Sequence, residues 1–145
     1  MSWSVKRQVE LAAACCLMIG CMANPGSPQN SPPSNSTGVL TWTRDGGFAG
    51  FCDEMNVSAV GEVTTSSCRP PGAGPARTLT GEDLAQFNRW RTSFGAVSIE
   101  SKDSPGADAM TMKLTLKGTG RAQPTQTDRQ EMLDWAQRVY TKSRS

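Results

Sequence analysis

This 145-residue chain has thirteen acidic side chains and five cysteines, but no histidine to work with them. Lacking histidine, it has no usual general base, no Ser-His-Asp or Cys-His arrangement, and none of the commonest metal ligand. Asp53 and Glu54 are adjacent, so on a strand they point to opposite faces and cannot act together. Glu82 and Asp83 suit the first turn of a helix, where acids meet the positive end of the dipole. Asp103 and Asp108 flank a loop and could share a calcium ion with backbone oxygens, but two acids are few for a hard cation. Gly118-Thr119-Gly120 lacks the Gly-Lys-Ser/Thr ending of a phosphate loop, and no G-x-G-x-x-G follows a strand. Two cysteines left after processing could not build an ordinary zinc site. The chemistry points to a protein that is not an enzyme, with no cofactor and no metal.

The N-terminus carries a different signal. Lys6 and Arg7 precede Leu11 to Gly20, a run without charge, and Cys21 follows at once. The run is too short to span a bilayer, which needs about 20 apolar residues. A basic start, an apolar stretch of about 7–15 residues and a small residue at the cut describe a secretory signal. A cysteine directly after the cut resembles the bacterial lipoprotein signal, whose cysteine is lipidated and becomes the new N-terminus. Cys15 and Cys16 are competing cut points, but either leaves too little apolar sequence after Arg7. Lipidation of Cys21 is preferred over an ordinary cleaved signal or an uncleaved anchor. Met22 stands where an aspartate would favour the inner membrane. The resemblance therefore implies a lipid-anchored protein of the cell envelope. In a Gram-negative cell it implies the outer membrane, with the protein facing the periplasm or the cell surface.

With Cys15 and Cys16 removed and Cys21 lipidated, Cys52 and Cys68 remain. Disulfides persist in that compartment, and a single pair has one connectivity. Closing a loop of their spacing is worth about 3 kcal/mol in the chain-entropy picture. A reactive dithiol is the alternative, but such motifs usually space their cysteines by two residues. The structural bridge is preferred.

Residues 22–37 hold four of the nine prolines and no charge. Such a stretch cannot bury enough surface to repay its ordering entropy and reads as a tether. The chain thus divides into a signal at 1–20, the lipidated cysteine and tether at 21–37, and one domain at 38–145. Residues 1–20 carry Lys6, Arg7 and Glu10, so 13 basic and 12 acidic residues follow them. That balance offers no footprint for nucleic acid.

Hydrophobic periodicity predicts the domain's elements. Val39 to Arg44 alternates as a strand, and Asp45-Gly46-Gly47 is a turn signal. Phe51 to Ala59 and Glu62 to Cys68 form a hairpin around Gly61, with Phe51, Asp53, Met55 and Val57 on one face and Cys52 on the other. Asp53 on an apolar face argues for an edge position or a bulge. Arg69 to Arg77 reads as a loop. A helix with Thr80 as its cap carries Leu84, Phe87, Trp90, Arg91 and Phe94 and ends at Gly95. Val97 and Ile99 lie on a short strand. Met110, Met112, Leu114 and Leu116 form one face of a clear antiparallel strand. A last helix from Thr125 or Thr127 buries Met132, Leu133, Ala136, Val139 and Tyr140. The prediction is an α+β fold, a small antiparallel sheet of four to five strands with two helices packed on one face.

Arg44-Asp45-Gly46-Gly47-Phe48-Ala49-Gly50 is the most distinctive run. It resembles the strand–turn start of emfourin-like domains, small bacterial inhibitors of thermolysin-type metalloproteases. The helix at Leu84 to Phe94, Asp108 with the Met110 to Leu116 strand, and the helix at Met132 to Tyr140 follow the same element order. The resemblance implies a secreted or periplasmic protease as a protein partner. No inhibitory contact carries over position by position. The alternative is a structural or assembly lipoprotein of the envelope without inhibitory activity. Gly46 and Gly47 permit a tight turn at positive φ. Phe48 then either packs as a core or lid residue, the preferred reading, or stands exposed as an anchor for a partner, with Gly46, Gly47 and Phe48 as the binding tip; the Lys102 to Ala107 loop is the other candidate for such a surface.

Overall fold

The computed structural model describes residues 38–106 and 108–145. The signal, the lipidation site Cys21 and the tether up to residue 37 lie outside the described residues. Along the chain the elements are β1 (Leu40–Gly46), β2 (Phe51–Val57), β3 (Glu62–Cys68), β4 (Pro71–Ala73), β5 (Arg77–Thr78), α1 (Gly81–Ser93), β6 (Ala96–Lys102), β7 (Met110–Lys117) and α2 (Gln126–Arg144). The strands form one sheet in the order β4-β3-β2-β1-β7-β6, with β5 also paired to β3. Every named pairing is antiparallel.

The α+β class stands, but the sheet has seven strands where four to five were predicted. The two additions lie in the segment read as a loop. β4 is three residues long and opens with Pro71, and β5 has only two. A proline costs no ladder bond at the start of an edge strand, so the proline-rich stretch can still pair.

β1 lies at the middle of the sheet, in seven-residue register with β2 on one side and β7 on the other. Alternation along the strands sends Leu40, Trp42, Met55, Val57, Val63, Val97, Ile99, Leu114 and Leu116 to one face, where none is more than 7% exposed. Phe87 and Trp90 of α1 join the same cluster, as do Met132, Leu133, Trp135, Ala136, Val139 and Tyr140 of α2. Trp135, which the periodicity reading passed over, stacks on Phe87 at 6.3 Å and meets Trp90 edge-on at 5.5 Å.

The other face of the sheet carries short polar side chains in cross-strand rows. One row runs Ser98, Thr115, Thr41, Asn56, Thr64 and the next Glu100, Lys113, Thr43, Glu54, Ser66. Thr41 donates to Asn56 at 2.7 Å, and Glu100 pairs with Lys113 across the strands at 3.5 Å. Opposite charges and hydroxyls set across from each other stabilise a wet sheet face.

The helix starts differ. At α2, Thr125 and Asp128 cap each other reciprocally, which places the start at Thr125. At α1, Thr80 occupies the cap position but makes no side-chain cap bond. The next residue, Gly81, has φ +53, so the chain enters the helix from the left-handed region and the hydroxyl does not meet the first free amides. Phe94, read as the helix's last apolar position, is its C-cap and stays buried.

Candidate functional site: the tip of the first hairpin

β1 and β2 are joined by residues 47–50. The loop closes on itself through Gly50 N–H, which donates to Gly47 O at 2.9 Å. Gly46, Gly47 and Gly50 have φ of 89°, 70° and 61°, values that favour glycine. At Gly46 a side chain is also excluded by space, since a Cβ would lie 2.6 Å from Ala109 O.

Two neighbouring loops brace this turn. Gly47 N–H donates to Ala109 O at 3.0 Å, tying it to the β6–β7 connection. That connection is itself closed by Asp103, whose carboxylate accepts from Met110 N–H at 3.2 Å. On the other side, Arg69 donates to Ala49 O at 3.2 Å, and its guanidinium packs against Gly50. Cys52, two residues beyond the turn, is bonded to Cys68 across β2 and β3, with Cα atoms 5.7 Å apart. This is the bridge predicted from the cysteine count, and it lies on the sheet face that faces water.

Below the turn is a polar network on the face that packs the core. Arg44 Nε donates to Asp53 at 2.9 Å, and the Tyr140 hydroxyl of α2 donates to the other Asp53 oxygen at 2.7 Å. The Arg44 guanidinium lies 3.9 Å from the centre of the Phe51 ring, and Tyr140 packs on Trp42 at 5.2 Å. Burial raises the Asp53 pKa. Hydrogen bonds from Tyr140 and Arg44, the neighbouring Ser67 hydroxyl and the Arg44 charge outweigh it and hold the carboxyl below its ordinary range. Tyr140 is pushed up by burial and by its bond to the same carboxylate.

The network corrects one expectation. Asp53 lies on an interior strand, between β3 and β1 in the sheet order, and pairs with Arg44 in the unbroken β1–β2 register; the β2–β3 pairs, Glu54–Val57, stop one residue before it. The acid is tolerated at 5% exposure because Arg44 and Tyr140 satisfy both of its oxygens.

Phe48 corrects another. It neither packs in the core nor lids the sheet; it is 91% exposed. The base of the turn is already filled, since Gly47 lies against the Phe51 ring and Met110. The closed loop leaves Phe48 outside that packing. The structure thus brings Gly46, Gly47 and Phe48 together at one tip and joins Cys52 to Cys68, while Cys21 lies outside the described residues. Arg44, Asp53, Tyr140 and Arg69 support the tip; the sequence reading names Asp53 as an acid on an apolar face and Tyr140 as a buried helix position, but does not join the four into one support. The available signal was a charged residue on the apolar face of each of two adjacent strands, Arg44 and Asp53.

Elsewhere, Glu82, Asp83, Glu131 and Asp134 line a groove between the helices. Lys142 pairs with Asp83 there at 2.9 Å, and Arg138 lines the same groove. Among the described residues, no three or more His, Cys, Asp or Glu side chains gather to hold a metal ion. No helix among them is long and apolar enough to cross a membrane. What the tip offers is a large apolar side chain held in water on a braced backbone, and comparison of the chain with protein families, curated proteins and solved structures finds no match.

Proposed function

We propose that this protein is a bacterial envelope lipoprotein, anchored through a lipid on Cys21, whose domain binds a protein partner without catalysis. The partner surface is the β1–β2 tip, and the partner class is a secreted or periplasmic metalloprotease of the thermolysin type. The carrying observation is Phe48, 91% exposed on a turn tied to two other loops. A large exposed aromatic on a rigid base is the usual form of a binding anchor, because little ordering entropy remains to be lost on docking. Both helices lie on the face that bears Trp42, which leaves the tip unobstructed by them. The resemblance of Gly46-Gly47-Phe48-Ala49 to the emfourin-like turn supplies the protease class.

The test is a titration of thermolysin with the soluble chain that starts after residue 21, together with a pull-down from envelope extracts of the source organism. Loss of protease activity at stoichiometric ratios supports the reading. Untouched activity across the titration, with recovery of envelope assembly proteins alone, replaces it with the structural lipoprotein reading.

A further inference from the structure

We infer that the tip engages its partner as a closed turn, Phe48 first, and is never presented as an extended, substrate-like segment. This rests on the reading of the tip as the binding surface. Proteases bind substrates as extended strands, with φ near −120° through the residues that flank the cut bond. Here Phe48 and Ala49 are the central residues of a turn closed from Gly50 N–H to Gly47 O at 2.9 Å. Gly46, Gly47 and Gly50 around them all have positive φ. Laying this stretch out as a strand would invert three backbone angles. It would also break the Gly47–Ala109 and Arg69–Ala49 bonds and pull Gly50 off the Arg69 guanidinium.

The partner is therefore one with a pocket of phenyl size that accepts a protruding side chain, rather than one that needs a free length of backbone. Two consequences follow for a protease. The bond between Gly47 and Phe48 survives in the complex although a large apolar residue follows it. Affinity resides in the Phe48 side chain.

The experiment incubates the soluble chain with thermolysin, reading activity against ratio and cleavage by mass spectrometry, beside a reduced and unfolded control. The expected result is inhibition with the Gly47–Phe48 bond intact while the control is cut there. Phe48→Ala should weaken inhibition on the order of 30-fold or more. Arg69→Ala, which removes one brace at an exposed site, should hasten cleavage at the tip without unfolding the domain. Inhibition accompanied by cutting at Gly47–Phe48 at the control's rate overturns the closed turn and spares the proposed function. Inhibition unchanged in Phe48→Ala overturns docking through this side chain. An intact tip with no inhibition at any ratio overturns the protease reading, and this mode of engagement with it.

Discussion

β2 is entered and left by two loops of the same build. Residues 47–50 lead into it and residues 58–61 lead out, and each closes from its last residue back to its first, Gly50 to Gly47 and Gly61 to Ser58. Each ends on a glycine at positive φ and exposes one large apolar side chain, Phe48 at 91% and Val60 at 77%. Their surroundings differ. The second loop is fastened to the body of the fold: Ala59 O accepts from Arg91 of α1, Gly61 O accepts from Leu79 N–H, and Gly61 packs on Leu79 and Leu84. Its role is to seat α1. The first loop is hydrogen-bonded to two other loops, through Ala109 and Arg69, and needs two further left-handed glycines, Gly46 and Gly47. Such conformations are retained where the surroundings over-determine them, and they cluster at functional sites. Similar turns thus serve packing at one end of β2 and display at the other.

The comparison can be broken most strongly from below. Arg44→Ala removes the partner of a buried carboxylate and should destabilise the domain by about 3 kcal/mol or more in chemical denaturation. Amide exchange should then rise at residues 47–50 more than at 58–61. Next in size is the double change Cys52→Ser with Cys68→Ser, expected to cost about 3 kcal/mol by the same measurement. Gly46→Ala and Gly61→Ala set the two ends directly against each other. Each forces an alanine to positive φ, at roughly 1 kcal/mol or more. At Gly46 the new methyl also meets the Ala109 carbonyl at 2.6 Å, whereas at Gly61 it meets a Leu84 methyl at 2.9 Å that can turn aside. Gly46→Ala should therefore be the more damaging of the pair, and the reverse order would show that the tip is loosely held.

Acid offers a milder probe. The Asp53 pKa is lowered in the fold, so its contribution is fully present above the unfolded aspartate value of about 3.9. That contribution is lost as pH falls through the lower folded value. Stability measured from pH 5 downward should fall more steeply in the wild type than in Asp53→Asn. The smallest effects come from the exposed side chains. Phe48→Ala and Val60→Ala should each change stability by about 0.5 kcal/mol or less. Only Phe48→Ala should change partner binding.

The elements were legible wherever one face is buried and the other wet. Met110 to Leu116 and the α2 stripe announce themselves by period. The disulfide followed from the cysteine count, and the structure joins the same two residues. β4 and β5 were not legible, because Pro70, Pro71 and Pro75 mark a turn whether or not short segments between them pair. Asp53 misled because local pattern cannot reveal a partner 87 residues away, Tyr140, that makes a buried acid acceptable. The glycines of the tip were visible, but the outward side of Phe48 was not. Its direction depends on Phe51 and Met110 filling the base first, a matter of tertiary packing.

Where the chain enters the domain has a directional consequence. Val39 is bonded to Val57 and to Lys117, at the end of β1 away from the Phe48 turn. Seven residues of strand, at about 3.3 Å each, place the entry point and the tip roughly 20 Å apart along β1. On the proposed anchor at Cys21, a pull from the membrane would reach the domain at this entry end, opposite the Phe48 turn. The sixteen residues 22–37 could span at most about 55 Å if fully extended. On the same proposal, Phe48 would meet partners that come within the tether's reach of the headgroups rather than those embedded beneath them.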